Sequence, residues 1–254
     1  MSAAAVAQRG GEPFNKGDSS ADGPQPTMRW HYALGRRLLL GYFRGLHGVV
    51  YMGSERIPRH GPVLVVANHQ SYYDPPLIGS GIGCRPLDFL ARAGLFRVPL
   101  FGRFIRAFNA FPIKEDTGDR AAIEAVVRRL QAGGTVLVFP EGRRTRDGHL
   151  MPLKRGVALV LRRAKVPVVP VAIDGVFDVW PRHRALPTPF AGPMGVHYGE
   201  PIEPGDQPRD ADALLAMLHD RLEAQKLEIR LELLKRSEGT FPRPLPPVSP
   251  PTLD

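Results

Sequence analysis

The chain has 254 residues, 43% hydrophobic and 23% charged, which is ordinary for a globular protein and leaves room for one large domain or two small ones. Its net charge of +9 favours an anionic partner: nucleic acid, anionic lipid headgroups or phosphorylated substrates. The single cysteine, Cys84, excludes an intrachain disulfide and fits a reducing compartment; no Cys/His spacing suits a tetrahedral metal, and no uncharged apolar run reaches the ~20 residues that cross a membrane.

Residues 1–27 are small and polar, with Gly and Pro and without the apolar segment of a signal peptide, so they are expected to form a disordered tail. Residues 28–47 mix Trp30, Tyr32, Leu34, Leu38, Leu39, Tyr42, Phe43 and Leu46 with Arg29, Arg36, Arg37 and Arg44. That amphipathic pattern suits a helix at a membrane interface, where each cation near an anionic leaflet contributes ~1 kcal/mol. It equally suits a helix packed on the core with its arginines outward.

Short strands are expected at 48–53, 63–67, 87–91, 108–113, 135–139, 166–173 and 194–198. Pro167 and Pro170 put the sixth of these near a sheet edge or make it irregular. Helices are expected at 75–83, 119–132, 153–165 and from Asp210 to near Arg236, with 95–105 either a helix or a surface segment. Residues 237–254 hold six prolines and read as a disordered tail. Strands alternating with helices argue for a single α/β domain, spanning 48–236, with a mixed, mostly parallel sheet and helices on both faces.

Two loops carry the chemistry. The first, Asn68-His69-Gln70-Ser71-Tyr72-Tyr73-Asp74, follows the apolar run 63–67 and precedes Pro75-Pro76. His and Asp five apart lie about 140° from each other on a helix and on opposite faces of a strand, so only a turn brings His69 and Asp74 together. A neutral imidazole accepts a proton near pH 7, and a carboxylate on its other nitrogen fixes the tautomer and stabilises the imidazolium. The same residues also allow a plain helix start, with Asp74 as N-cap or with Ser71 and Asp74 as a capping box. The second loop, Phe139-Pro140-Glu141-Gly142-Arg143-Arg144-Thr145-Arg146-Asp147-Gly148, also ends an apolar strand, where α/β folds place ligands. Its guanidinium groups suit bidentate phosphate binding, and Glu141 suits orienting an arginine or accepting from a substrate hydroxyl.

Asn-His-x4-Asp followed by a strand ending Phe-Pro-Glu-Gly-x-Arg-Thr resembles the glycerolipid acyltransferase family, whose best-known members are 1-acylglycerol-3-phosphate acyltransferases. The resemblance runs from about Gly48 to Gly199 and includes the Val/Pro block 166–171. It implies transfer of a fatty acyl group from a thioester, acyl-CoA or acyl carrier protein, to a lysophospholipid hydroxyl, without a cofactor or metal. It also implies His69 as general base and Asp74 as its partner, with Glu141, Gly142, Arg143, Arg144 and Thr145 on the acceptor. The chain departs from the family in two places: Arg143 stands where Thr is usual, and Lys114-Glu115 stands where an arginine usually follows the fourth strand. Lys114 supplies that charge as a point, not a fork.

The resemblance further implies a peripheral or monotopic protein on the cytoplasmic face of an anionic membrane. Backbone N–H groups in the turn after the strand would hold the oxyanion. A covalent route through Cys84, a serine route through Ser71 or Ser80, another lysolipid acceptor and a non-enzymatic basic lipid-surface binder are the rivals. No nucleic-acid motif is present.

Overall fold

The computed structural model describes residues 28–113 and 118–247. The expected tail 1–27, Lys114 and the last residues from 248 onward lie outside them. Seven strands, β1 (Val50–Met52), β2 (Val63–Ala67), β3 (Asp88–Arg92), β4 (Ala110–Ile113), β5 (Thr135–Val138), β6 (Val168–Asp174) and β7 (Gly195–Tyr198), form one sheet in the order β1-β7-β6-β2-β5-β3-β4. Every neighbouring pair is parallel except β6–β7. The expected single α/β domain with a mostly parallel sheet is the observed one.

Helices cover both faces. They are α1 (Trp30–His47), α2 (Asp74–Gly81), α3 (Pro99–Ala107), α4 (Gly118–Gln131), α5 (Gly156–Ala164), α6 (Val176–Val179) and α7 (Ala211–Arg236). The alternation of β2 divides the core in two. Val63, Val65 and Ala67 pack with Phe43 of α1 and Leu77 and Ile78 of α2, while Leu64 and Val66 pack with α4, α5 and the first half of α7. All five β2 side chains are fully buried, so a continuous apolar run was the right signature of a central parallel strand.

Helix ends follow sequence chemistry. Asp210 caps α7 by accepting from the Ala213 N–H at 2.9 Å. Pro75 and Pro76 sit in the first turn of α2, where a missing N–H costs nothing.

Two expectations need correction. The strand carrying Pro170 is neither an edge nor irregular: β6 is third in the sheet and buried along its whole length. The proline fits because pairing with β7 begins one residue later, at Val171–Tyr198, and the Pro170 carbonyl still accepts from Gly199 N–H at 2.8 Å. Only the terminal rung of that ladder lacks a donor. The chain beyond α7 also does not leave the body at Ser237. Phe241 is buried in the main core, and residues 237–247 lie back along α6.

Candidate active site

β2 and β5 are adjacent central strands with Val66 opposite Val138, so their C-terminal ends deliver both loops to one edge of the sheet. Asn68 finishes β2 by bonding the Ile173 backbone in both directions, its Oδ1 accepting from N–H at 2.8 Å and its Nδ2 donating to C=O at 3.0 Å. The chain then turns, and Asp74 closes the turn. Its Oδ2 accepts from His69 Nδ1 at 2.6 Å, Gln70 N–H at 2.6 Å and Ser71 N–H at 2.7 Å. This carboxylate is not the N-cap, a place Tyr73 holds; it takes the Ser71 N–H as a capping box would, but it takes the imidazole and the Gln70 N–H as well. It gathers its own loop.

Asp74 is fully buried, and burial pushes its carboxyl above the usual range; the His69 ring and the two N–H groups oppose that shift. With Nδ1–H given to the carboxylate, the Nε2 of His69 is left as the accepting nitrogen. The ring stacks on Phe139 with centroids 4.0 Å apart and planes 14° apart.

The second loop is bound to the first through its backbone. Thr145 N–H donates to His69 C=O at 2.8 Å. Glu141 Oε1 accepts from His69 N–H at 2.6 Å, and its Oε2 accepts from Met151 N–H at 3.1 Å. Burial pushes the Glu141 carboxyl up to about 8, against the His69 and Met151 N–H groups. Each carboxylate oxygen thus accepts from backbone, and among the described residues no arginine donates to Glu141, so that part of the sequence expectation is not met. It is a strut between the loops. Thr145 also departs from expectation: its hydroxyl is buried and donates to Asp147 Oδ1 at 2.9 Å. Gly142 lies at φ +73°, a backbone conformation that suits glycine and strains other residues.

A cavity of about 430 Å³ opens beside these loops. Its lining joins the polar His69, Arg143, Arg144 and Arg182, with Gly142, to the apolar Leu87, Phe89, Leu95, Phe104, Ile105 and Phe108. The guanidinium carbon of Arg144 lies over Tyr72, 3.5 Å from the ring centroid, and its buried Nη1 has no hydrogen-bond partner among the described residues. A buried guanidinium nitrogen left unpaired in this way is a ready donor for an anion.

The model of the Acyltransferase family matches residues 48–174, which contain both loops. The chain belongs to that family. The acyltransferase is 29% identical over 159 residues to the 1-acyl-sn-glycerol-3-phosphate acyltransferase of Bacillus subtilis, covering 63% of this chain and 76% of that protein. It is 35% identical over 130 residues to a lyso-ornithine lipid O-acyltransferase of Pseudomonas aeruginosa, about half of each chain. Among solved structures it resembles the 1-acyl-sn-glycerophosphate acyltransferase PlsC of Thermotoga maritima, with a TM-score of 0.62, 30% identity, and coverage of 79% of this chain and 78% of that one. It is therefore an O-acyltransferase of phospholipid synthesis, acting between an acyl donor and a lysophospholipid acceptor.

The structure brings His69, Asp74, Glu141, Gly142, Arg143, Arg144 and Thr145 of the acyltransferase together. Lys114 is outside the described residues. Cys84 is elsewhere, exposed, with its Sγ 3.9 Å from the Ile57 carbonyl. Ser71 is buried, and its Oγ accepts from Tyr73 N–H at 3.2 Å. The oxyanion expectation also narrows. The N–H groups of His69, Gln70, Ser71, Tyr73 and Asp74 are already committed to Glu141, Asp74 and Ser71.

Tyr72, Phe139 and Arg182 are the site residues that sequence reasoning missed. Tyr72 and Phe139 were inside quoted motifs, but nothing in their spacing says which ring lies under which cation. Arg182 belongs to neither loop.

Proposed function

We propose that the acyltransferase moves a fatty acyl group from acyl-CoA or acyl carrier protein to the free hydroxyl of 1-acylglycerol-3-phosphate, with His69 as general base. His69 Nε2 takes the hydroxyl proton as the acceptor oxygen attacks the thioester carbonyl. The C–S bond breaks, and the thiolate leaves and recovers the proton. Asp74 holds the ring and stabilises its charged form. Arg144 binds the acceptor phosphate and so fixes the hydroxyl beside the imidazole. The apolar lining of the cavity takes the hydrocarbon chain. This step needs no metal and no cofactor.

The observation that carries the reading is the meeting, in one cavity, of an Asp-held imidazole and a guanidinium with a buried unpaired N–H. A second reading, acylation of a different lysolipid, is favoured by Arg143, an extra cation lining the cavity.

The outer surface supports a docked enzyme. Among the described residues no helix is long and apolar enough to cross a membrane. Yet α1 exposes Trp30, Leu34 and Leu38, and α3 exposes Leu100, Phe101 and Phe104 between Arg97, Arg103 and Arg106. The same two helices wall the cavity through Tyr32, Leu39, Phe101 and Ile105. An anionic bilayer surface would cover both apolar faces and deliver lipid at the cavity.

The test is thioester consumption by the purified protein with a panel of lysophospholipids. Turnover that depends on 1-acylglycerol-3-phosphate supports the first reading. Preference for another lysolipid supports the second. Equal consumption without any acceptor points to a thioesterase and sinks both.

A further inference from the structure

The family match ends at residue 174, but the site does not. Helix α7 reaches it from the far end of the chain. Lys226 is 5% exposed, and its Nζ donates to the Gly148 carbonyl at 2.6 Å, where the basic loop turns back. The same carbonyl accepts from Gln70 Nε2, in the His69 loop, at 3.2 Å. Gln70 is itself fixed, its Oε1 accepting from Phe177 N–H at 3.2 Å. One carbonyl oxygen therefore ties both loops to α7.

The corner is also packed from outside. Gly148 has φ +84°, and a Cβ there would lie 2.6 Å from Leu245 of the segment after α7. Next to it, the His149 ring nitrogen Nε2 meets the Pro246 carbonyl at 2.8 Å.

Stability alone does not explain this lysine. Burial draws its ammonium below the usual range, against the pull of Asp174, Glu223 and Glu141. A buried cation is weak evidence for stability, and an apolar group of similar shape often serves as well or better. Nor would its removal orphan a partner. Gly148 C=O keeps Gln70, and Asp174 keeps Arg230, whose Nε donates to it at 2.7 Å.

We infer that Lys226 is a positioning residue: by pinning the Gly148 corner it sets the distance between the Arg143–Arg144 turn and His69, and so the alignment of acceptor and base. This rests on the acyl-transfer reading above.

The experiment compares wild type, Lys226→Met and Lys226→Arg by melting temperature and by kcat and KM for each substrate, using the best acceptor of the panel. For Lys226→Met we expect kcat/KM for the acceptor to fall by about tenfold or more, because a small misplacement of reacting groups is enough. The thioester KM should move by less than about twofold, and the melting temperature should be no lower than wild type. Lys226→Arg keeps the donor and should recover most of the loss. Acceptor kinetics of Lys226→Met within about twofold of wild type would overturn the inference. So would a loss that tracks a lowered melting temperature or strikes both substrates equally. Failure of the parent reading looks different: the wild-type protein itself then transfers to no lysophospholipid, and this inference falls with it.

Discussion

The two loops that close β2 and β5 solve opposite problems. In the His69 loop the Asp74 oxygen holds two backbone N–H groups and the imidazole at once, and His69 reaches the cavity beside Tyr72. In the basic loop the backbone is held as firmly, through Glu141 and Thr145, but Arg143 and Arg144 line the cavity. A proton transfer needs one geometry, so its residues are tied to one another and to backbone through one carboxylate oxygen of Asp74, while the buried Oδ1 keeps no partner among the described residues. A headgroup must enter and leave, so its residues keep bonding capacity in reserve. On the proposed mechanism, dense bonding to backbone would mark the chemistry and an unspent donor on Arg144 the binding.

This contrast makes graded predictions. Removing the base should cost most: His69→Ala lowers kcat by about a hundredfold or more at unchanged acceptor KM, read in the thioester assay. Retention of most activity would end the assignment. Asp74→Asn comes next. An amide cannot accept from the ring and both N–H groups as a carboxylate does, so kcat should fall by at least about tenfold, and a full-strength variant would show that the loop holds itself. Arg144→Ala should act on the other side of the contrast, raising acceptor KM by about tenfold with kcat nearly kept. A fall in kcat alone would make Arg144 part of the chemistry and erase the distinction between the loops.

The smallest effect concerns Glu141, which bridges the two. Its folded carboxyl sits at about 8 against an ordinary 4.5, so the folded state holds a proton that the unfolded chain releases in between. Its stabilising contribution is then complete below 4.5 and is lost as pH rises through 8. Melting curves of wild type and Glu141→Gln between about pH 5 and pH 9 should show the wild-type advantage shrinking upward. Parallel curves would mean the strut stays ionised.

Much of the fold was legible because it rests on local rules. The apolar run of β2, the glycines after α4 and the aspartate before α7 all mean in the structure what they mean in isolation. The His/Asp pair was legible as a pair for the same reason, since a turn was the only way to join residues at that spacing. What sequence could not show is partner choice. Glu141 had the right chemistry to orient an arginine, and only the folded chain reveals that His69 and Met151 N–H groups donate to its oxygens. Lys226 and Arg182 are far from either loop along the chain, and no periodicity forecasts their arrival. Pro170 misled because the edge-strand rule concerns a missing donor, and here the ladder begins just past it.

The phenyl ring of Phe139 has a consequence of its own. It lies 4.0 Å from the imidazole and nearly parallel to it, so the ring of His69 cannot tip. On the proposed mechanism, a cation formed there would lie against the electron-rich face of an arene that opens the basic loop. The neighbour that limits its motion would thus also cushion its charge, and a leucine in its place would keep the first service and forfeit the second.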